Sequence, residues 1–141
     1  MVTVDFCYAG YVPIEYRIDH ERHVIIAKGK GSFTSEDMFR YQQEAWSQPG
    51  VAGYNELVDM TEVTEIVDPS VENVRRLVQL SASMDPPDSQ ARFAIAAPNK
   101  LMFGLGRLYE AYRELDPKST KAVRVFKTVR EAMEFLGLEE D

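Results

Sequence analysis

Apolar and polar residues change period several times along this chain, and each change marks an element. Val12, Ile14, Tyr16 and Ile18 alternate with Pro13, Glu15 and Arg17. A period of two predicts a half-buried strand, with Pro13 at its start or on an edge. Asp19-His20-Glu21-Arg22 is polar and predicts a hairpin turn. His23 to Lys30, carrying Val24, Ile25, Ile26 and Ala27, predicts the partner strand, with Gly29 and Gly31 at its fading end. A helix start follows. Thr34 caps the free amides, and Phe33 and Met38 have the spacing of a hydrophobic staple. Met38, Tyr41 and Ala45 share one face of this helix, Phe39 and Trp46 flank it, and Pro49-Gly50 stops it.

The stretch Tyr54 to Leu80 reads as the centre of the chain. Leu57 and Val58 are adjacent, as in a strand covered on both faces, and the strand is expected to end at Asp59. A loop without lysine or arginine comes next, and Ser70 opens a second helix. Val71, Val74, Leu77, Val78 and Ser81 fall at helical spacing, while Glu72, Arg75, Arg76 and Gln79 point outward. The proline-rich run Met84 to Asp88 ends it. Arg92 to Ala97 predicts another strand, closed by Pro98-Asn99. A third helix is predicted from about Lys100 to Leu115, with Leu101, Leu105, Leu108, Tyr112 and Leu115 as its core stripe. Ala122 to Phe126 predicts a last short strand. Thr128 and Glu131 then form a capping box, and Val129, Ala132, Met133 and Leu136 give a final amphipathic helix that Gly137 stops.

The order is β-β-α-β-α-β-α-β-α. Strands alternating with helices predict an α/β domain with a mostly parallel sheet and an N-terminal antiparallel hairpin. At 141 residues the chain has the size of one domain, with its core expected over about residues 10–137. Apolar residues at 45% and charged residues at 28% fit a globular domain and exclude a disordered one. The net charge of -7 argues against nonspecific nucleic-acid binding and against docking on anionic membranes. No apolar run approaches the roughly 20 residues of a membrane span, and no basic-then-apolar N-terminal pattern suggests a signal peptide. Cys7 is the single cysteine, so no intrachain disulfide forms and a cytoplasmic setting is expected.

An opening hairpin followed by repeated βα units resembles the STAS domain, the sporulation anti-sigma-factor-antagonist fold. The local match is Leu57-Val58-Asp59-Met60-Thr61, then Val63 to Ser70, with the turn Asp68-Pro69-Ser70-Val71 opening a helix. Ala94-Ile95-Ala96-Ala97-Pro98, Phe103 to Glu110, and Val125-Phe126 through Glu131-Ala132 are similar to a bacterial STAS-like or CRAL-TRIO-like branch whose members mostly lack an assigned function. The resemblance implies a regulatory domain in which a serine of that turn is phosphorylated by a partner kinase. Ser70 holds the matching position. The chain departs from the pattern where Pro69 replaces a small polar residue and Val71 replaces a glycine.

Four groups of residues have a functional and a structural reading. Ser70 is a candidate phosphosite at a helix N-terminus, and equally an ordinary cap. Asp59, Glu65 and Asp68, with Glu56, Glu62 and Glu72, are a candidate docking surface for a basic protein partner, and equally a solvated rim. Met102, Gly106 and Tyr109, flanked by Phe103, lie off the leucine stripe of their helix. They are a lid over an apolar pocket, a homodimer face, or a face sandwiched between sheet and helix. His20 and His23 are expected as exposed turn residues, since His-x-x-His lacks further zinc ligands.

Gly29-x-Gly31 and Gly104-x-Gly106 lack the third glycine of a dinucleotide loop, and no Gly-x-Ser-x-Gly elbow occurs. No motif points to a catalytic residue, a metal or a cofactor. Two functional classes follow: a non-enzymatic interaction domain regulated at Ser70, and a carrier or sensor of a small apolar ligand held under the helix near 100–115.

Overall fold

The computed structural model describes residues 2–4 and 14–138. Cys7, Val12 and Pro13 lie outside them. The strands are β1 (Val2–Val4), β2 (Ile14–Asp19), β3 (Val24–Phe33), β4 (Asn55–Ile66), β5 (Arg92–Ala96) and β6 (Ala122–Phe126). The helices are α1 (Ser35–Trp46), α2 (Val71–Ser83), α3 (Lys100–Leu115) and α4 (Val129–Leu136). They form one six-stranded sheet in the order β1-β2-β3-β4-β5-β6. β1, β2 and β3 pair antiparallel, and β3 to β6 pair parallel. The hairpin and the parallel βα units read from the sequence are both present, and β1 is an addition to them.

Monotonic strand order explains the layering. Each crossover from β3 to β6 steps one strand in the same direction, and crossovers of one hand then place their helices on one face. The larger core therefore holds Tyr41 of α1, Val78 of α2 and Met102 of α3 against Tyr16, Val58 and Ile95 of the sheet. α4 has no strand to return to, and it covers the opposite face, where Ala132 and Leu136 pack on Leu57, Ala94 and Ala96.

Local chemistry ends these elements where expected. Thr34 caps α1 in a full capping box with Asp37, and Thr128 caps α4. Asn99 caps α3 by accepting from the amides of Leu101 and Met102. In the β2–β3 turn, Asp19 Oδ1 accepts from the amides of Glu21 and Arg22. His20 and His23 are exposed in and beside that turn, as expected, and both meet the Tyr54 ring.

Three features differ from the sequence reading. First, β4 does not end at Asp59. It runs on to Ile66, still paired with β3, which itself continues past Gly29 and Gly31 to Phe33. Asp59 pairs with Lys28 and Glu62 with Lys30, so Met60 and Thr61 face the single residue Gly29. Such a bulge interrupts the alternation that marks a strand. Asp59 closes it, its Oδ1 accepting from Thr61 N at 2.9 Å and Thr61 Oγ1 at 2.6 Å. Gly29 permits it, because a Cβ there would lie 2.8 Å from a methyl of Val63.

Second, α3 is turned relative to its leucine stripe. Met102, Gly106, Tyr109 and Arg113 face inward, while Leu101 and Leu115 are 54% and 77% exposed. The reason is steric: α3 passes so close to β6 that a Cβ on Gly106 would sit 2.8 Å from Val125 Cγ2. Only the face with the glycine fits there. Third, Val71 of α2 is exposed, and burial begins further along at Val78 and Ser81. Among the described residues no helix is long and apolar enough to cross a membrane.

The close approach at Gly106 gives a direct test. Gly106→Ala should destabilise the fold by about 1–3 kcal/mol, because the stiff side chain of Val125 yields little and α3 must lift. Denaturant unfolding measures this, and an unchanged or higher midpoint would show that α3 does not sit tightly on β6.

Candidate functional site

Between the sheet and helices α1, α2 and α3 lies a cavity of about 110 Å³. Its position follows from the layering, since α1, α2 and α3 all pack on this face of the sheet and the cavity lies between them and strands β4 and β5. Alternation along β4 brings Glu56, Val58 and Met60 to its sheet wall, and Phe93 and Ile95 of β5 continue that wall. The inward face of α3 contributes Met102, Leu105, Gly106 and Tyr109. α1 adds Met38 and Tyr41, and α2 adds Val74 and Leu77. Pro69, Ser70 and Asn73 line the end where α2 begins. The walls are thus almost wholly apolar, with a carboxylate set into one of them.

That carboxylate belongs to a buried charge network. Tyr41 donates to Glu56 Oε2 at 2.5 Å. Lys121 Nζ lies 3.8 Å from Glu56 Oε1 and 3.9 Å from Asp85 Oδ1. Arg113 donates to both oxygens of Asp85, at 2.8 and 3.2 Å. Asp85 Oδ2 also accepts from the amide of Thr120 at 2.9 Å. The Lys121 ammonium rests 3.3 Å from the centre of the Trp46 ring, a cation–π contact that replaces part of its lost hydration. The side chains of Glu56, Asp85, Arg113 and Lys121 are all at most 3% exposed. Two cations and two anions balance.

Burial sets the protonation of the groups around this network. Burial first, and then the neighbouring Glu56 carboxylate, holds the Tyr41 phenol well above its ordinary value. Burial pushes the Tyr109 phenol up to about 12. Burial lowers the Lys121 ammonium, against the pull of Glu56 and Asp85. Tyr109 donates to Ser81 Oγ at 2.8 Å, so both phenols stay neutral donors at ordinary pH.

The residues singled out from the sequence fall into separate places. Met102, Gly106 and Tyr109 line the cavity. They are buried against the chain's own sheet, so a second copy reaches them only if α3 lifts. Phe103 is half-buried at the edge of the same core, with the Lys127 ammonium over its ring at 5.6 Å. Ser70 is exposed, and its Oγ accepts from Asn73 N at 3.1 Å as the cap of α2. Asp68 Oδ1 accepts from Ser35 N at 2.9 Å and ties the approach to α2 to the start of α1. Glu65 accepts from Ser32 Oγ at 3.1 Å across the β3–β4 pair. Glu62 pairs with Lys28. Asp59 alternates with Val58 and lies with Leu57 toward the α4 side, away from Ser70. The acidic run is therefore not one loop: Glu56, Asp59, Glu62 and Glu65 lie on β4, Asp68 follows it, and Glu72 is in α2.

Sequence reasoning passed over Tyr41, Asp85, Arg113 and Lys121 as site residues. A signal existed. Glu56 is in phase with Val58 and Met60 on a strand, and Arg113 is in phase with Tyr109 and Gly106 on a helix. A charge in phase with a buried face needs a partner. Among the described residues no group of three or more His, Cys, Asp or Glu side chains has the placement to hold a metal ion.

The two phenols make stability fall at alkaline pH. A folded-state pKa raised above 10 gives stability that is full below that pH and is lost as pH rises, because the unfolded chain releases those protons first. Lys121 acts with the opposite sign below 10.5, as one group against two. Tyr41→Phe should flatten the loss above pH 10, measured as denaturant midpoint against pH. Folded protein whose tyrosines all ionise together near pH 10 would contradict the burial of Tyr41 and Tyr109.

No family model matches the chain, and no curated protein matches its sequence. Among solved structures it is similar to an uncharacterized protein of the DUF3478 family with a SpoIIAA-like fold, from Shewanella loihica PV-4. The two are 17% identical with a TM-score of 0.55, over 93% of this chain and 99% of that one. The chain accordingly has the SpoIIAA-like, or STAS-like, α/β fold.

Proposed function

We propose that this chain is a non-enzymatic sensor or carrier that takes a small apolar ligand into the cavity under α3. One observation carries the proposal: an apolar cavity of about 110 Å³ lies under Met102, Gly106 and Tyr109, with Ser70 also among its lining residues. Apolar cavities of roughly 150 Å³ stay dry and take up benzene-sized molecules. An occupant here touches α1, α2 and α3 at once, and it contacts the residues that open α2. Val71 and Leu101, both more than half exposed, flank lining residues of α2 and α3 and extend the apolar surface at that end.

Methionine methyl groups report the occupant directly. With labelled methionine methyls and added toluene, the Met38, Met60 and Met102 signals should shift together and saturate, since all three line the cavity. Met133, which packs on the opposite face of the sheet, should stay in place. If toluene leaves Met38, Met60 and Met102 unmoved, the cavity does not bind and the proposal is wrong.

A second reading rests on the exposure of Ser70. Its hydroxyl caps a single amide at the start of α2, beside Asp68 and Glu65, and this surface is accessible to a protein partner. In this reading Ser70, Asp68 and Glu65 mark the docking region, and Asp59, on the other side of the sheet, falls outside it. Ser70→Ala then costs about 1 kcal/mol as a lost cap. Ser70→Glu keeps an acceptor at the helix N-terminus and weakens partner binding by its added charge. Equal partner binding by the two variants would leave Ser70 as a cap only.

A further inference from the structure

The geometry points to a ligand of one chemical class: a single aromatic ring bearing one neutral hydroxyl, whose O–H is received by Glu56. This rests on the cavity reading above and specifies the occupant. Glu56 is the charged residue among those that line the cavity, where Ser35, Gln42, Ser70 and Asn73 are the neutral polar ones, and it is 2% exposed. A buried carboxylate accepts several hydrogen bonds. Its Oε2 has one, from Tyr41 at 2.5 Å. Its Oε1 faces Lys121 at 3.8 Å, an ion-pair distance too long for a hydrogen bond. The network that balances the charge of Glu56 thus leaves acceptor capacity on the carboxylate, and Glu56 is one of the residues that line the cavity.

Size and walls fix the remainder of the class. A volume of about 110 Å³ is closer to that of a single ring than to that of a long acyl chain. The lining presents the rings of Phe93, Tyr41 and Tyr109 and the thioethers of Met38, Met60 and Met102. Ring edges and polarizable sulfur favour an aromatic occupant over an aliphatic one of equal size. Charge decides the head group. Glu56 and Asp85 are balanced by Lys121 and Arg113, so the site holds no unmatched cation for an anionic ligand. A carboxylate head would meet the buried Glu56 carboxylate among largely apolar walls, where like-charge repulsion is costly. A neutral hydroxyl donates to Glu56 and brings no charge to bury.

The test compares three probes of nearly equal size on the intact protein: 4-methylphenol, toluene and 4-methylbenzoate. Calorimetric titration or methionine methyl shifts give each affinity. 4-Methylphenol should bind about tenfold or more tighter than toluene, the increment of a hydrogen bond to a charged group, and 4-methylbenzoate should not enter. The double variant Glu56→Leu with Lys121→Met removes the pair together, a change buried ion pairs tolerate better than loss of one partner. In it the preference for 4-methylphenol over toluene should vanish while toluene still binds. Toluene and 4-methylphenol binding alike to the unaltered protein would overturn the hydroxyl assignment and leave the cavity reading intact. Tighter binding of 4-methylbenzoate would overturn it as well. Entry of none of the three would overturn the assignment and the cavity reading together.

Discussion

Burial of the Glu56 carboxylate is the constraint on which the rest of this structure leans. Glu56 stands near the start of β4, a central strand with β3 on one side and β5 on the other. Its partners come from elsewhere in the chain. Tyr41 is on α1 and Lys121 immediately precedes β6, while Asp85 follows α2 and Arg113 is on α3. Removing one partner of such a pair typically costs about 3–5 kcal/mol, because the other charge is left buried without compensation. The network therefore specifies one arrangement of α1, α2, α3 and β6 around β4. Apolar contacts are less selective, since many packings bury similar area.

The cavity is a consequence of the same arrangement. α3 is drawn against β6 through Gly106, and its Arg113 is fixed to Asp85. α1 is held over β4 by the Tyr41–Glu56 hydrogen bond. With the helices pinned at these points, the space between α1, α2, α3 and the sheet remains, with Val58 and Met60 among its walls. Packing density in protein interiors normally removes such space, and here it persists beside a fully buried charged group. The opposite face is covered by α4. There α4 lies on alanines at Ala94 and Ala96 and closes tightly.

Much of this was legible from the amino acids. Strand and helix periods, the caps at Thr34, Ser70 and Thr128, and the stop at Gly137 lie in local patterns of a few residues. The resemblance to the STAS fold rested on these patterns, and the α/β topology agrees with it. Other features were hidden for identifiable reasons. β4 seemed to stop at Asp59 because a bulge there breaks the period of two, and a bulge looks like a strand end when no partner strand is in view. The leucines of α3 seemed to be its core because periodicity identifies apolar stripes without saying which stripe meets the sheet. The choice was made by Val125, which tolerates only a glycine opposite it.

The amino-acid order by itself determined the class of the fold, the element boundaries set by capping and turn residues, and the candidate face of α3. These depend on contacts between residues near one another in the chain. Tertiary structure alone decided that this face closes over a cavity, that Asp59 and Ser70 belong to different sides of the sheet, and that Glu56 meets Lys121. Glu56 and Lys121 are far apart in sequence, and nothing local to either announces the other. Their pairing arises only when the crossovers align β4, β5 and β6. It is then enforced by the cost of leaving either charge unpaired away from water.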